Sequence, residues 1–160
     1  MNANEPGGLE GIGTLVVVVL KARNLPNKRQ FGKQDPYCSV GFNGGTQRIR
    51  AIKRGGQHPE WDEELRFTLY EDDSAMPDGG EDMTGRAPLP PGASRAIRGG
   101  NTISVACFDA GQSEPVLIGE TIVDLTEVLT KGESDEWFTL THEDKYCGEV
   151  YLELTFWRHR

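Results

Sequence analysis

Long apolar runs are missing from this chain. The longest, Leu15 to Leu20, is strand length, far short of the roughly 20 residues a membrane-spanning helix needs. Met1 to Gly13 has neither the basic nor the apolar region of a signal peptide, so a soluble, intracellular protein is expected. Cysteine is scarce. Cys38, Cys107 and Cys147 stand far apart, each in its own predicted strand, without the close pairs of a zinc site or the even number of a disulfide framework. They are expected to be small buried thiols. Histidine is equally sparse: His58 and His142 fall in loops and His159 in the tail. No Ser or Cys sits in a nucleophile-elbow context and no phosphate-cradling glycine loop opens a helix, so no catalytic constellation is visible and no enzyme is expected. A sugar-binding sandwich would need exposed aromatics grouped on one face, which the pattern does not show.

A basic excess is lacking too. The net charge is −8, which argues against bulk nucleic-acid binding. The charge is unevenly spread: residues 14–70 carry ten Lys/Arg against five Asp/Glu, whereas residues 71–160 carry seven against eighteen. An anionic surface would attract one part of such a molecule and repel the other.

What is present points to β structure. At 160 residues the chain has room for one domain with a core, and its buriable runs are short, rich in Val, Leu, Phe and Thr, and separated by glycine and proline. The first strand, Thr14 to Ala22, has apolar residues at both parities, which predicts a central strand covered on both faces. Strands two (Tyr37–Phe42) and three (Thr46–Lys53) flank Asn43-Gly44-Gly45, a tight turn needing positive φ. Strands four (Glu63–Tyr70), five (Thr102–Phe108), six (Ile118–Asp124), seven (Glu136–Leu140) and eight (Glu149–Trp157) follow, with a short helix or turn near Leu125. The expectation is an all-β, eight-stranded antiparallel sandwich. Residues 1–13 are read as a flexible N-terminus and 158–160 as a tail. Glu71–Gly100 is a long, acidic, glycine-rich loop between strands four and five, expected to be disordered or functional. Within it, Pro88-Leu89-Pro90-Pro91 has a PxxP spacing with Arg86 one position too close for a basic-flanked SH3 ligand, so a flexible spacer is expected.

Four landmarks then fall in order on the right strands: Phe31-Gly32-Lys33-Gln34-Asp35-Pro36-Tyr37, His58-Pro59-Glu60-Trp61-Asp62-Glu63, Phe108-Asp109 and Ile118-Gly119-Glu120. Across residues 14–157 the chain resembles a C2 domain. The strand order resembles the circularly permuted type II arrangement, which implies that the loops Asn24–Asp35, Arg54–Trp61 and Asp109–Leu117 gather at one pole and the long loop emerges at the other. The wording around Gly32–Cys38 and Arg54–Phe67 is similar to the fungal ingression family of cytokinesis C2 proteins. That resemblance implies cytokinetic-ring or septum-synthesis partners and a cytoplasmic protein peripheral to the plasma membrane at the division site.

Calcium-dependent members of the C2 family place five acidic side chains on the first and third loops, because the ion takes six to eight oxygens. By this resemblance Asp35 and Asp109 are retained, whereas the other matched positions hold Arg29, Gly111 and Val116. With Asp35 and Asp109 as remnants, no metal and no other cofactor is expected, and both carboxylates are read as caps on loop N–H groups. Lipid can still be met through basic residues: Arg48 and Arg50 share one parity of strand three while Ile49 and Ala51 turn inward, and Lys53-Arg54 continue into the second loop. On the first loop Lys28, Arg29 and Lys33 surround Phe31, which either enters the membrane interface beneath a basic collar or packs under its own loop. Trp61 is expected to wedge its loop against the sandwich. The reading is a non-enzymatic, calcium-independent adaptor for anionic phospholipid or a protein partner. A general lipid-targeting C2 module and a purely protein-binding scaffold stand as alternatives.

Overall fold

The computed structural model describes residues 11–72, 96–111 and 113–159. The expectations for the first ten residues and for the PxxP segment fall outside them. Eight strands and one short helix follow in the order β1 (Gly11–Arg23), β2 (Pro36–Phe42), β3 (Gly45–Arg48), β4 (Glu60–Tyr70), β5 (Thr102–Asp109), β6 (Val116–Asp124), α1 (Thr126–Lys131), β7 (Glu133–His142) and β8 (Lys145–Arg158). All strand pairs are antiparallel. They run β3-β2-β5-β6-β7-β8-β1-β4, so β3-β2-β5-β6 faces β7-β8-β1-β4. The halves are joined at one seam by a single pair, Glu120 with Thr141, which makes the sandwich nearly closed.

Alternation creates the core. Leu15, Val17 and Val19 of β1, Leu65 and Leu69 of β4, and Leu152 and Leu154 of β8 point inward against Val40, Val105 and Ile118 of the opposite layer. β1 lies inside its sheet between β8 and β4, as expected, but it is not fully covered on both faces: Val18 and Leu20 are half-buried. A register shift between Val19 and Lys21 reverses the parity, so that Ala22 is buried and Lys21 points to solvent.

The turn prediction holds in detail. Asn43 and Gly44 have φ of 51° and 79°, and Phe42 pairs with Gly45, a two-residue hairpin whose positive φ values suit these residues. Strand three, by contrast, stops at Arg48 rather than Lys53. Beyond it the chain stays tethered to β2 through Ile49 N–H to the Cys38 carbonyl and Ile52 N–H to the Pro36 carbonyl, then turns at Arg54 (φ 58°). The other strands extend one to four residues past their predicted ends because backbone pairing, which sequence periodicity does not register, continues beyond the alternating stretches, as at Pro36–Asp109 and Gly11–Tyr70. Glu71 bridges Ile97, and Gly99 lies against Asn43 at the hairpin pole, so the long connection leaves from the pole opposite the three loops. α1 ends on Gly132 (φ 93°), whose N–H returns to the Val128 carbonyl.

All three cysteines are buried and free. Far apart in sequence, Cys38 and Cys107 nonetheless stand directly opposite one another across β2 and β5.

Candidate functional site

Antiparallel connections bring residues 24–35, 49–59, 110–111 and 113–115 to one pole, and hydrogen bonds tie the three loops together. Leu25 N–H donates to the Gln57 carbonyl, Asn24 N–H to Nδ1 of His58, and Ala110 N–H to the Asp35 carbonyl. Trp61 is buried and its indole N–H donates to the Pro36 carbonyl at 3.0 Å, fixing the second loop against β2 as the sequence suggested.

Two residues do more here than the sequence disclosed. Gln34 is fully buried: its amide nitrogen donates to the Pro26 and Gly56 carbonyls at 2.9 and 3.1 Å, and its oxygen accepts from Lys28 N–H at 2.9 Å. One side chain therefore satisfies backbone groups in both the first and second loops. Gly111, in sequence terms, is only a lost carboxylate. A Cβ there would lie 1.1 Å from Nη2 of Arg29, so only glycine leaves the guanidinium its place.

That guanidinium is the centre of the site. Arg29 Nε donates to Asp109 Oδ2 at 2.9 Å, Nη2 to Asp109 Oδ1 at 3.1 Å, and Nη2 lies 3.1 Å from Asp35 Oδ2. Asp109, with 1 % exposure, also accepts N–H groups of Asp35 and Gly111, and Asp35 Oδ1 accepts Arg54 N–H at 2.7 Å. Both remnant carboxylates cap loop backbone, as expected. Burial alone would push the Asp109 carboxyl up, but the Arg29 hydrogen bond, helped by the two backbone donors, outweighs it and holds the group below the usual carboxylate range. The hydrogen bond to Asp109 in turn raises the pKa of Arg29.

These residues do not fit a calcium ion. Only two carboxylates converge, a cation already bridges them, and no group of three potential ligands occurs among the described residues. The same geometry corrects one expectation: Arg29 turns inward onto the aspartates, so it is not part of a basic collar around Phe31. Lys28, Lys33 and Phe31 do point outward, with Phe31 82 % exposed and not packed under its loop. Val116, where the third loop enters β6, and Tyr146 beside the first loop are also exposed.

The basic residues following β2 divide into two groups. The guanidinium carbon of Arg48, the last residue of β3, lies over the Tyr37 ring at 4.1 Å, and Tyr37 stacks on Phe108 at 5.3 Å. Arg50, Lys53 and Arg54 are exposed too, but on the irregular segment beyond the strand rather than on it, while Ile49 is buried as the parity required.

A two-layer antiparallel sandwich with this strand order and three loops at one pole is a C2 fold. The chain belongs to the C2 domain family, whose model matches residues 13–77 and 93–140. It is 30 % identical over 146 residues to Ingression protein fic1 of Schizosaccharomyces pombe, covering 91 % of this chain and 44 % of that protein. It is 27 % identical over 146 residues to Extended synaptotagmin-3 of Homo sapiens, covering 89 % of this chain and 13 % of the relative. A C2 domain of plant Extended Synaptotagmin 1 superposes with a TM-score of 0.69 at 18 % identity, over 94 % of this chain and 98 % of that one. The chain thus spans less than half the length of these two sequence relatives. No helix among the described residues is long and apolar enough to cross a membrane.

Proposed function

We propose that this C2 domain is a non-enzymatic adaptor that docks to anionic membrane, and to a protein partner, without calcium. The observation that carries this reading is the Arg29 guanidinium held between Asp35 and Asp109. A tethered cation does there what a metal ion does in a calcium-dependent relative: it neutralises the carboxylates and joins the first loop to the third. The loops are assembled before any ligand arrives.

Attraction to lipid then rests on exposed Arg48, Arg50, Lys53 and Arg54, with Lys28 and Lys33 beside Phe31 at the pole. Each basic residue near an anionic surface contributes about 1 kcal/mol, screened by salt, so binding is reversible. The similarity to an ingression protein supports placing the domain in the cytoplasm at the plasma membrane of the fungal division site, among cytokinetic-ring or septum-synthesis proteins. The similarity to an extended synaptotagmin favours, as the second reading, a general phospholipid-targeting module.

Co-sedimentation with phosphatidylserine and phosphoinositide vesicles, in calcium and in chelator and at low and physiological salt, tests this. Equal, salt-sensitive binding in both is expected, and Arg48→Glu with Arg50→Glu should abolish it. Binding only with calcium would refute the reading of Arg29. No binding in either would leave a purely protein-binding scaffold.

A further inference from the structure

The sandwich has two seams, and they are finished differently. At the β3/β4 seam side chains occupy backbone groups: the Gln47 amide donates to the Arg66 carbonyl at 2.6 Å, and Glu63 accepts Arg50 N–H at 3.0 Å. Such contacts block the approach of another strand. At the β6/β7 seam nothing comparable occurs among the described residues. β7 pairs along its length with β8, but its other edge meets β6 only at Glu120–Thr141. Alternate N–H and C=O groups between Ser134 and Leu140 therefore face outward unpaired by backbone.

Beside this edge lies a groove of about 510 Å³ between α1 and β7. Phe138, half-buried against the core, contributes its apolar wall, and Asp124, Glu127 and Glu136 stand around it as exposed carboxylates. The one cation there, Lys131, is paired with Glu127 at 3.5 Å. Glu133 and Asp135 extend the negative charge along β7.

We infer that the β7 edge and this groove accept an extended segment of a partner protein with Lys or Arg at alternate positions, added to the sheet as an extra strand. Backbone pairing supplies the register, and because Ser134, Glu136 and Phe138 share one face of β7, the segment's alternate basic side chains all lie on that face, with their stems along Phe138 and their charges at the carboxylates. Charge decides between occupants. An anionic membrane would be repelled, and a second copy pairing two-fold through the Ser134–Asp135 region of β7 would set the acidic run Glu133, Asp135 and Glu136 of one copy beside that of the other. In the strand order this seam lies across the sandwich from the β3/β4 seam that carries Arg48 and Arg50, so a partner and a lipid surface can be held at once.

The test uses the whole chain and a fluorescein-labelled, N-acetylated eight-residue peptide alternating Lys and Val, with its Glu–Val counterpart. Anisotropy should show salt-sensitive binding of the Lys peptide and none of the Glu peptide, with slowed amide exchange confined to Ser134–Leu140. Asp124→Lys with Glu136→Lys should weaken binding about tenfold or more, because both reversed charges face the peptide. Asp124→Asn with Glu136→Gln, a milder change, should give an intermediate loss. Failure of the Lys peptide to bind, equal binding of both peptides, insensitivity to both variants, protection elsewhere, or self-association protecting β7 would each overturn the inference. Arg48→Glu with Arg50→Glu should leave peptide binding unchanged, which separates this site from the membrane-docking reading.

Discussion

Replacing Gln34 by Leu isolates the tie between the first two loops. The volumes are similar, so little cavity opens, but three backbone groups lose their partner: Pro26 and Gly56 carbonyls and Lys28 N–H. Gly56 is buried, and its stranded carbonyl should cost about 2 kcal/mol. The Lys28 and Pro26 groups lie nearer the surface, where water can replace the amide, and should cost about 0.5–1 kcal/mol each. Burying Leu offsets about 1.5 kcal/mol of this, leaving a net loss of roughly 2 kcal/mol. With a urea slope of about 2 kcal/mol/M, the unfolding midpoint should fall by about 1 M at unchanged slope. Vesicle binding should fall with it, because the first loop keeps only its Leu25–Gln57 and Asn24–His58 bonds to the second and is held less firmly. Val128→Ala, a core truncation in α1 far from the loops, should lower the midpoint without affecting vesicle binding. A midpoint within about 0.25 M of the parent protein, on the same slope, would refute the accounting.

Gly111→Ala should evict the Arg29 guanidinium, since the new methyl would sit 1.1 Å from Nη2; a lowered melting temperature, largely shared by Arg29→Ala and not doubled in the combined variant, is the expected result. Arg29→Asp with Gly111→Asp restores carboxylates at two of the matched loop positions and should create calcium binding measurable by titration calorimetry where the parent shows none. The Asp109 carboxyl is held below its ordinary value in the folded protein, so its contribution to stability is complete above the unfolded pKa of about 3.9 and is lost as pH falls through the folded pKa. The difference in urea midpoint between parent and Asp109→Asn should accordingly be largest near neutral pH and shrink as pH falls from about 5 toward 2.

Much of the fold was legible because its determinants are local. Alternation in Glu63–Tyr70 and Glu149–Trp157, the mixed apolar parity of β1 and the Asn43-Gly44 turn specify strands and a hairpin whatever surrounds them. The four motifs, at the first two loops and on β2, β4, β5 and β6, were enough to suggest the C2 resemblance that the family match supports. Strand three ends early for a physical reason: Arg48 to Arg50 alternates as a strand should, but β2 supplies only irregular pairing beyond Arg48.

The order of amino acids is enough to say which residue types stand at the loop positions, and so which carboxylates are missing. What fills their place emerges with folding, because the Arg29–Asp109 bond spans eighty residues and depends on the side chain absent at Gly111. The burial of Gln34, the facing of Cys38 and Cys107 and the open edge of β7 are likewise properties of elements distant in the chain. No local pattern encodes such relations; they arise when the closing of the sandwich brings the loops and strands together.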